Sequence, residues 1–194
     1  MTSKLLSDIG MCLNSKQTVV FERLLTKVDY KPESYDVKSS CGMSIVIIPR
    51  NGYTVYQFYL SDATFEKIQA HLSLIQSIDG FVKIIDVYPD FNTIEFEKVE
   101  PIIHVEIGKI SVKPFVSLEK LMNHVCQTLV DLKMASVCHR DLTLDNIGYS
   151  SAKDKYLVYD FETMSVDDSE EECSKNRDLH TFLESIKFHK LKVE

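Results

Sequence analysis

The pair Asn51-Gly52 sits between two runs rich in β-branched and aromatic residues, SIVIIPR over 44–50 and YTVYQFYL over 53–60. Asn-Gly is the strongest short-range hairpin signal, because both central positions of a type I′ turn take φ > 0. It predicts an antiparallel hairpin, and so commits this part of the chain to a sheet. A second hairpin is predicted where FVKIIDVY (81–88) and TIEFEKV (93–99) flank Pro89-Asp90-Phe91-Asn92. Between the two, Ser61-Asp62 caps a helical pattern running to about 78, with Phe65, Ile68, Leu72 and Ile75 on one face.

The second half of the chain has a different periodicity. Leu118, Leu121, Met122, Val125, Leu129 and Leu132 make 117–136 a long amphipathic helix. Ile147-Gly148-Tyr149 and the run 156–159 read as short strands around a polar turn at 150–155, followed by an acidic loop at 167–172. A last helix is predicted from about 176 to 188. Ahead of the sheet, Val19, Val20, Leu24 and Leu25 give 15–28 a near-helical spacing that Lys31-Pro32-Glu33-Ser34 breaks. A small antiparallel sheet with one helix, then a mainly helical half, is α+β.

Length and charge narrow the classes. The chain has 194 residues, enough for one domain or two small lobes. Its 44% hydrophobic and 26% charged residues are ordinary for a globular protein. A net charge of −7 argues against nucleic acid or an anionic membrane as a partner bound through a general basic field. Cys12, Cys41, Cys126, Cys138 and Cys173 form no C-x-x-C pair, and their odd total reads as free thiols in a reducing compartment. Cys126 and Cys138 lie among apolar residues and read as small core side chains. No signal peptide and no apolar run of about 20 residues are present, so a cytoplasmic location is expected.

The chemistry-bearing residues cluster between the long helix and the short strands. His139-Arg140-Asp141-Leu142-Thr143-Leu144-Asp145-Asn146 reads H-R-D-L-x-x-x-N, and Asp160-Phe161-Glu162 follows fourteen residues after Asn146, one residue short of D-F-G. Taken singly these residues say little. Asp160 would be a strand-end turn residue, and Asp178 a first-turn charge favoured by the helix dipole. His71, His104, His124, His180 and His189 match no metal-ligand spacing.

Motifs and element order together resemble the protein-kinase-like superfamily over about residues 35–188, in a minimal or atypical form that a viral protein could carry. The resemblance implies a bilobal fold. Residues 1–34 would be an N-terminal helical extension, 35–97 the small sheet lobe with one helix, and 98–194 a truncated, mainly helical lobe. It implies Asp141 as catalytic base, with His139 and Arg140 holding its loop, and Asn146 and Asp160 as ligands of Mg²⁺. Asp178 would anchor the loop through its backbone. ATP would meet Gln57 and Gly42 through its phosphates, and Glu97 and Val99 through adenine at the hinge.

The chain departs from the pattern on the phosphate side. Gln57 stands where a lysine would pair with the α- and β-phosphates, which removes a point charge. The following helix offers Gln69, Ala70 and His71 where a glutamate is expected, and Glu66 falls one turn early. The glycine-rich loop is reduced to Ser39-Ser40-Cys41-Gly42-Met43-Ser44. Glu162 replaces the glycine of D-F-G, Thr143 replaces a frequent lysine, and no A-P-E follows. Three readings stay open. One is a minimal ATP-dependent phosphotransferase resembling Ser/Thr protein kinases, with a protein substrate. The second is a pseudokinase that inhibits or scaffolds another protein, such as a kinase. The third is a small-molecule phosphotransferase of the aminoglycoside-kinase type. The acidic loop would favour basic substrates, and a viral chain would work in the host cytoplasm.

Overall fold

The Asn51-Gly52 hairpin forms, but not through the turn that its dipeptide suggests. The computed structural model describes residues 2–40, 42–106, 109–114, 116–166 and 177–189. In chain order the first elements are α1 (Thr2–Asp8), α2 (Ser15–Lys27), β1 (Tyr35–Ser40), β2 (Ser44–Pro49) and β3 (Thr54–Tyr59). β2 and β3 pair antiparallel, with Val46 opposite Gln57 and Ile47 opposite Tyr56. Neither Asn51 nor Gly52 takes a positive φ. A Cβ at Gly52 would stand 2.7 Å from the Pro49 Cβ, so the glycine serves a close approach.

The chain divides into two compact units. The first runs up to His71 and takes in Lys83–Lys98. It adds α3 (Asp62–Ala70), β4 (Ile84–Tyr88) and β5 (Thr93–Glu97). All five strands are antiparallel in the order β1-β2-β3-β5-β4. Alternation along β2 and β3 puts Ile45, Ile47 and Phe58 on one face, where Phe21, Leu24 and Leu25 of α2 pack against them. Each of those fully buried side chains contributes about 1.5–3 kcal/mol by leaving water. The α2 N-terminus is closed by a capping box, Asn14 accepting from Gln17 N while Gln17 accepts from Asn14 N. On the opposite face Tyr59 meets Phe65 of α3, ring centres 6.2 Å apart.

The helix expected over 61–78 is two. Ser61 caps α3 by accepting from Thr64 N, α3 stops before His71, and α4 (Leu72–Ser77) belongs to the second unit. No glycine or proline marks the break. Phe65 and Ile68 bury in the first unit and Ile75 in the second, so tertiary packing separates them. Among the strand regions that carried no signal strong enough to predict are β1 and a hairpin of β7 (Ile103–Glu106) and β8 (Lys109–Val112).

The second unit holds α4, α5 (Leu118–Met134), α6 (Arg177–Phe188) and seven short strands among its described residues. β6 (Glu100–Pro101), β10 (Ile147–Ser150) and β11 (Lys155–Val158) form one sheet in the order β11-β10-β6. β9 (Val137–Cys138) pairs with β12 (Ser165–Val166). Ser117 caps α5, and Leu121, Val125 and Leu132 bury one stripe of it. Cys126 is exposed on this helix, against the expectation of a core residue. Cys12 is free and exposed, whereas Cys138 is buried and disulfide-bonded, so the five cysteines are not all free thiols. Cys41, Cys173 and the acidic loop 167–172 lie outside the described residues. Among the described residues no helix is long and apolar enough to cross a membrane.

Candidate functional site

The loop 139–146 leaves β9 as irregular backbone, and side chains from elsewhere in the second unit satisfy its polar groups. Asp178, in the first turn of α6, accepts from His139 N at 2.8 Å and from Arg140 N at 2.7 Å. A carboxylate taking two backbone N–H groups makes charge-assisted bonds, roughly twice as strong as neutral ones. Arg140 takes φ 68° and Asp160 φ 67°, both in the left-handed region. For residues with a Cβ that conformation costs about 1–2 kcal/mol each, which the surrounding bonds must offset.

His139 is fully buried, its ring 6.1 Å from Phe81 and 6.3 Å from Phe161 in edge-on contacts. Its Nε2 donates to Tyr159 O at 3.2 Å, which assigns the proton to that nitrogen. Burial pushes the imidazole below its ordinary pKa, against the opposing fields of Asp178, Asp160 and Asp141. The ring is a packed, oriented element of the loop.

Asp141 and Asn146 are joined directly. Asn146 Nδ2 donates to Asp141 O and to Asp141 Oδ2, each at 2.9 Å. With Asn146 only 8% exposed, both donors of its amide are spent on the residue five positions earlier. The backbone repeats the tie, Thr143 N donating to Asp141 O and Asn146 N to Thr143 O. Just past β11, Tyr159 N donates to Asn146 O at 3.0 Å, which brings the following residue, Asp160, beside this loop.

His139 Nδ1 is buried without a hydrogen-bond partner, and Asp160 carries another such atom. Its Oδ1 is buried and has no hydrogen-bond partner. Burial pushes its carboxyl pKa above the usual range and the nearby Asp141 adds to the rise, while His139 and the Glu162 N–H oppose it. An orphaned carboxylate oxygen beside a second carboxylate is an energetically costly arrangement that a cation would relieve. Among the described residues no group of three or more His, Cys, Asp or Glu is placed to hold a metal. Mg²⁺ is commonly held by one or two carboxylates plus phosphate and water oxygens, so Asp160 and Asn146 fit that donor set.

The residues expected to meet nucleotide are distributed over both units. Gln57 lies in the first unit, 8% exposed, and its Nε2 donates to Ser44 Oγ across β2 and β3 at 3.0 Å. Gly42 takes φ 72° in the tight turn between β1 and β2, with Met43 N donating to Ser40 O. Glu97 ends β5, where its N–H donates to Lys83 O and its Oε1 accepts from Lys83 N. Val99 belongs to the second unit and packs on Gly148, where a Cβ would come within 2.3 Å of the valine Cγ2.

Several contacts to the loop went unread in the sequence, among them Thr163 Oγ1 donating to His139 O at 2.8 Å. Ser185 Oγ accepts from Leu144 N, His189 Nε2 lies 3.3 Å from Asp145 Oδ2, and the Tyr159 hydroxyl donates to Asp145 O. The one available signal was the spacing of Asp178, Ser185 and His189, seven and then four residues apart on one helical face.

No protein-family model matches the chain, and no curated protein does. Among solved structures, the Cydia pomonella granulovirus kinase PK-1 is similar over 76% of this chain at 14% identity, with a TM-score of 0.47. The chain spans 58% of the length of that kinase.

Proposed function

We propose that the chain is a minimal, ATP-dependent phosphotransferase of protein-kinase-like type, acting on a hydroxyl of a protein substrate. The observation that carries this reading is the joined set Asp141, Asn146 and Asp160. Asn146 spends both amide donors on Asp141, so Oδ1 is the atom it would offer a cation, and Asp160 keeps a buried oxygen without a partner. Mg²⁺ held there would neutralise charge on the phosphoryl group during transfer. Asp141, fixed by Asn146, would orient the acceptor hydroxyl and take its proton. His139 and Arg140 would keep the loop in its left-handed turn, with Asp178 as the anchor of their backbone. In this reading Gly42 and Gln57 meet the phosphates and Glu97 and Val99 the adenine.

A second reading has a specific observation behind it. Gln57 brings no positive charge, and its amide is engaged by Ser44. A pseudokinase that inhibits or scaffolds another protein would tolerate that loss. One experiment separates the two. Nucleotide binding with and without Mg²⁺ is followed by thermal shift, and transfer from labelled ATP is followed for wild type, Asp141→Asn and Asp160→Asn. Transfer by wild type that both variants abolish supports the phosphotransferase; nucleotide binding with no transfer by wild type supports the pseudokinase.

A further inference from the structure

The short 3-10 turn Leu144–Asn146 carries one of the two proposed metal ligands, and it is held from two sides by residues that the kinase-like motifs do not include. On one side stands Tyr159. Its N–H donates to Asn146 O at 3.0 Å and its hydroxyl to Asp145 O at 2.5 Å, so a single residue binds two consecutive carbonyls of the turn. Tyr159 also accepts from His139 Nε2 and directly precedes Asp160. On the other side stands α6. Ser185 Oγ accepts from Leu144 N at 3.2 Å and donates to Phe182 O at 2.7 Å. One turn on, His189 brings Nε2 to 3.3 Å from Asp145 Oδ2, with its side chain only 2% exposed.

We propose that Tyr159, Ser185 and His189 are positioning residues that brace the Leu144–Asn146 turn, so that Asn146 is preset to share a divalent cation with Asp160. This inference rests on the metal-site reading above. Because Tyr159 is joined covalently to Asp160, by its N–H to Asn146 O and by its hydroxyl to Asp145 O, it couples the places of the two ligands. Groups in the second shell of a metal act in this way, orienting ligands they do not replace.

The test uses the full chain and Mn²⁺ as probe, with affinity read by electron paramagnetic resonance. Tyr159→Phe removes one hydroxyl and keeps the ring, and Ser185→Ala and His189→Leu remove the contacts from α6. Metal-free protein is followed in parallel by amide hydrogen exchange over 144–147 and by melting temperature. Second-shell losses predict a Mn²⁺ affinity about tenfold lower in Tyr159→Phe. They also predict faster exchange in the turn without metal, and transfer that returns toward the wild-type rate at saturating Mg²⁺. A lowered melting temperature with wild-type Mn²⁺ affinity would make these residues merely structural and overturn the inference. Failure of wild type itself to bind Mn²⁺ would instead sink the metal-site reading and the brace with it. Should Tyr159→Phe fold poorly, Ser185→Ala decides the matter by the same affinity measurement.

Discussion

The loop 139–146 and the β1–β2–β3 part of the sheet spend their polar groups in opposite ways. In the loop the polar interactions fix one backbone geometry: Asp178 takes two N–H groups, Asn146 holds Asp141, and Arg140 sits at positive φ, as does Asp160 beyond the loop. One carboxylate oxygen, Asp160 Oδ1, is then left buried and unmatched. In the sheet the polar group of interest is absorbed by the sheet itself, since Gln57 donates to Ser44 on the neighbouring strand. Strained backbone and an unmatched buried carboxyl cluster at functional sites in general, and the proposed metal site draws on both. A satisfied amide between two packed faces marks a region arranged for stability.

The comparison breaks most decisively at the carboxylates. Asp141→Asn should lower transfer from labelled ATP by about 100- to 10,000-fold, the usual scale for a lost acid–base group, and Asp160→Asn should lower it through loss of a proposed Mg²⁺ ligand. Equal rates in wild type and both variants would leave the loop without a chemical role. Next in size is Asp178→Ala, which strands the N–H groups of His139 and Arg140. At about 1–3 kcal/mol for each buried unsatisfied donor, a urea titration should show the loss as a shifted midpoint.

Gln57→Lys tests the other side of the comparison. Without nucleotide the new ammonium is poorly accommodated beside Ser44, so the variant should melt below wild type. If Gln57 does face phosphate, Mg²⁺-ATP should bind about tenfold more tightly to the variant, on the scale of one added charge-assisted contact. A thermal-shift titration reads both effects, and lower stability with unchanged affinity would remove Gln57 from the nucleotide site. The smallest effect is expected at His124 on α5, outside the loop. Burial lowers its pKa, and its Nδ1 accepts from Tyr156 N, a bond that needs the neutral ring. A histidine whose folded pKa is depressed contributes stability above its unfolded value near 6.5, and loses it as pH falls toward the folded value. Urea midpoints should therefore drop slightly from pH 7.5 to pH 5, and less so in His124→Gln.

Elements with strong local patterns were legible. Residues 15–28, 117–136 and the two hairpins around 51–52 and 89–92 are all where periodicity and turn chemistry put them. What was hidden depends on partners distant in the chain. β1, Tyr35–Ser40, has a polar sequence and exists because β2 supplies its ladder, Val37 opposite Ile47. The break at His71 arises because two halves of one apolar stripe bury in different units. Cys126 looked buried by its neighbours in sequence, yet the stripe of α5 that packs is Leu121, Val125 and Leu132. His189 gave no motif at all, since its importance lies in reaching Asp145, 44 positions earlier.

The sequence by itself determined the α+β class and singled out the loop 139–146 with Asp160, because helix period, strand alternation and the spacing from His139 to Asp160 are local properties. Only the tertiary structure decided what those residues face. That Asn146 turns its amide to Asp141, that Asp160 keeps an oxygen without a partner, and that Gln57 answers to Ser44 are outcomes of packing between segments far apart in the chain. The physical reason is that a side chain's partner and its dielectric surroundings are set by which elements close over it, and no local pattern encodes them.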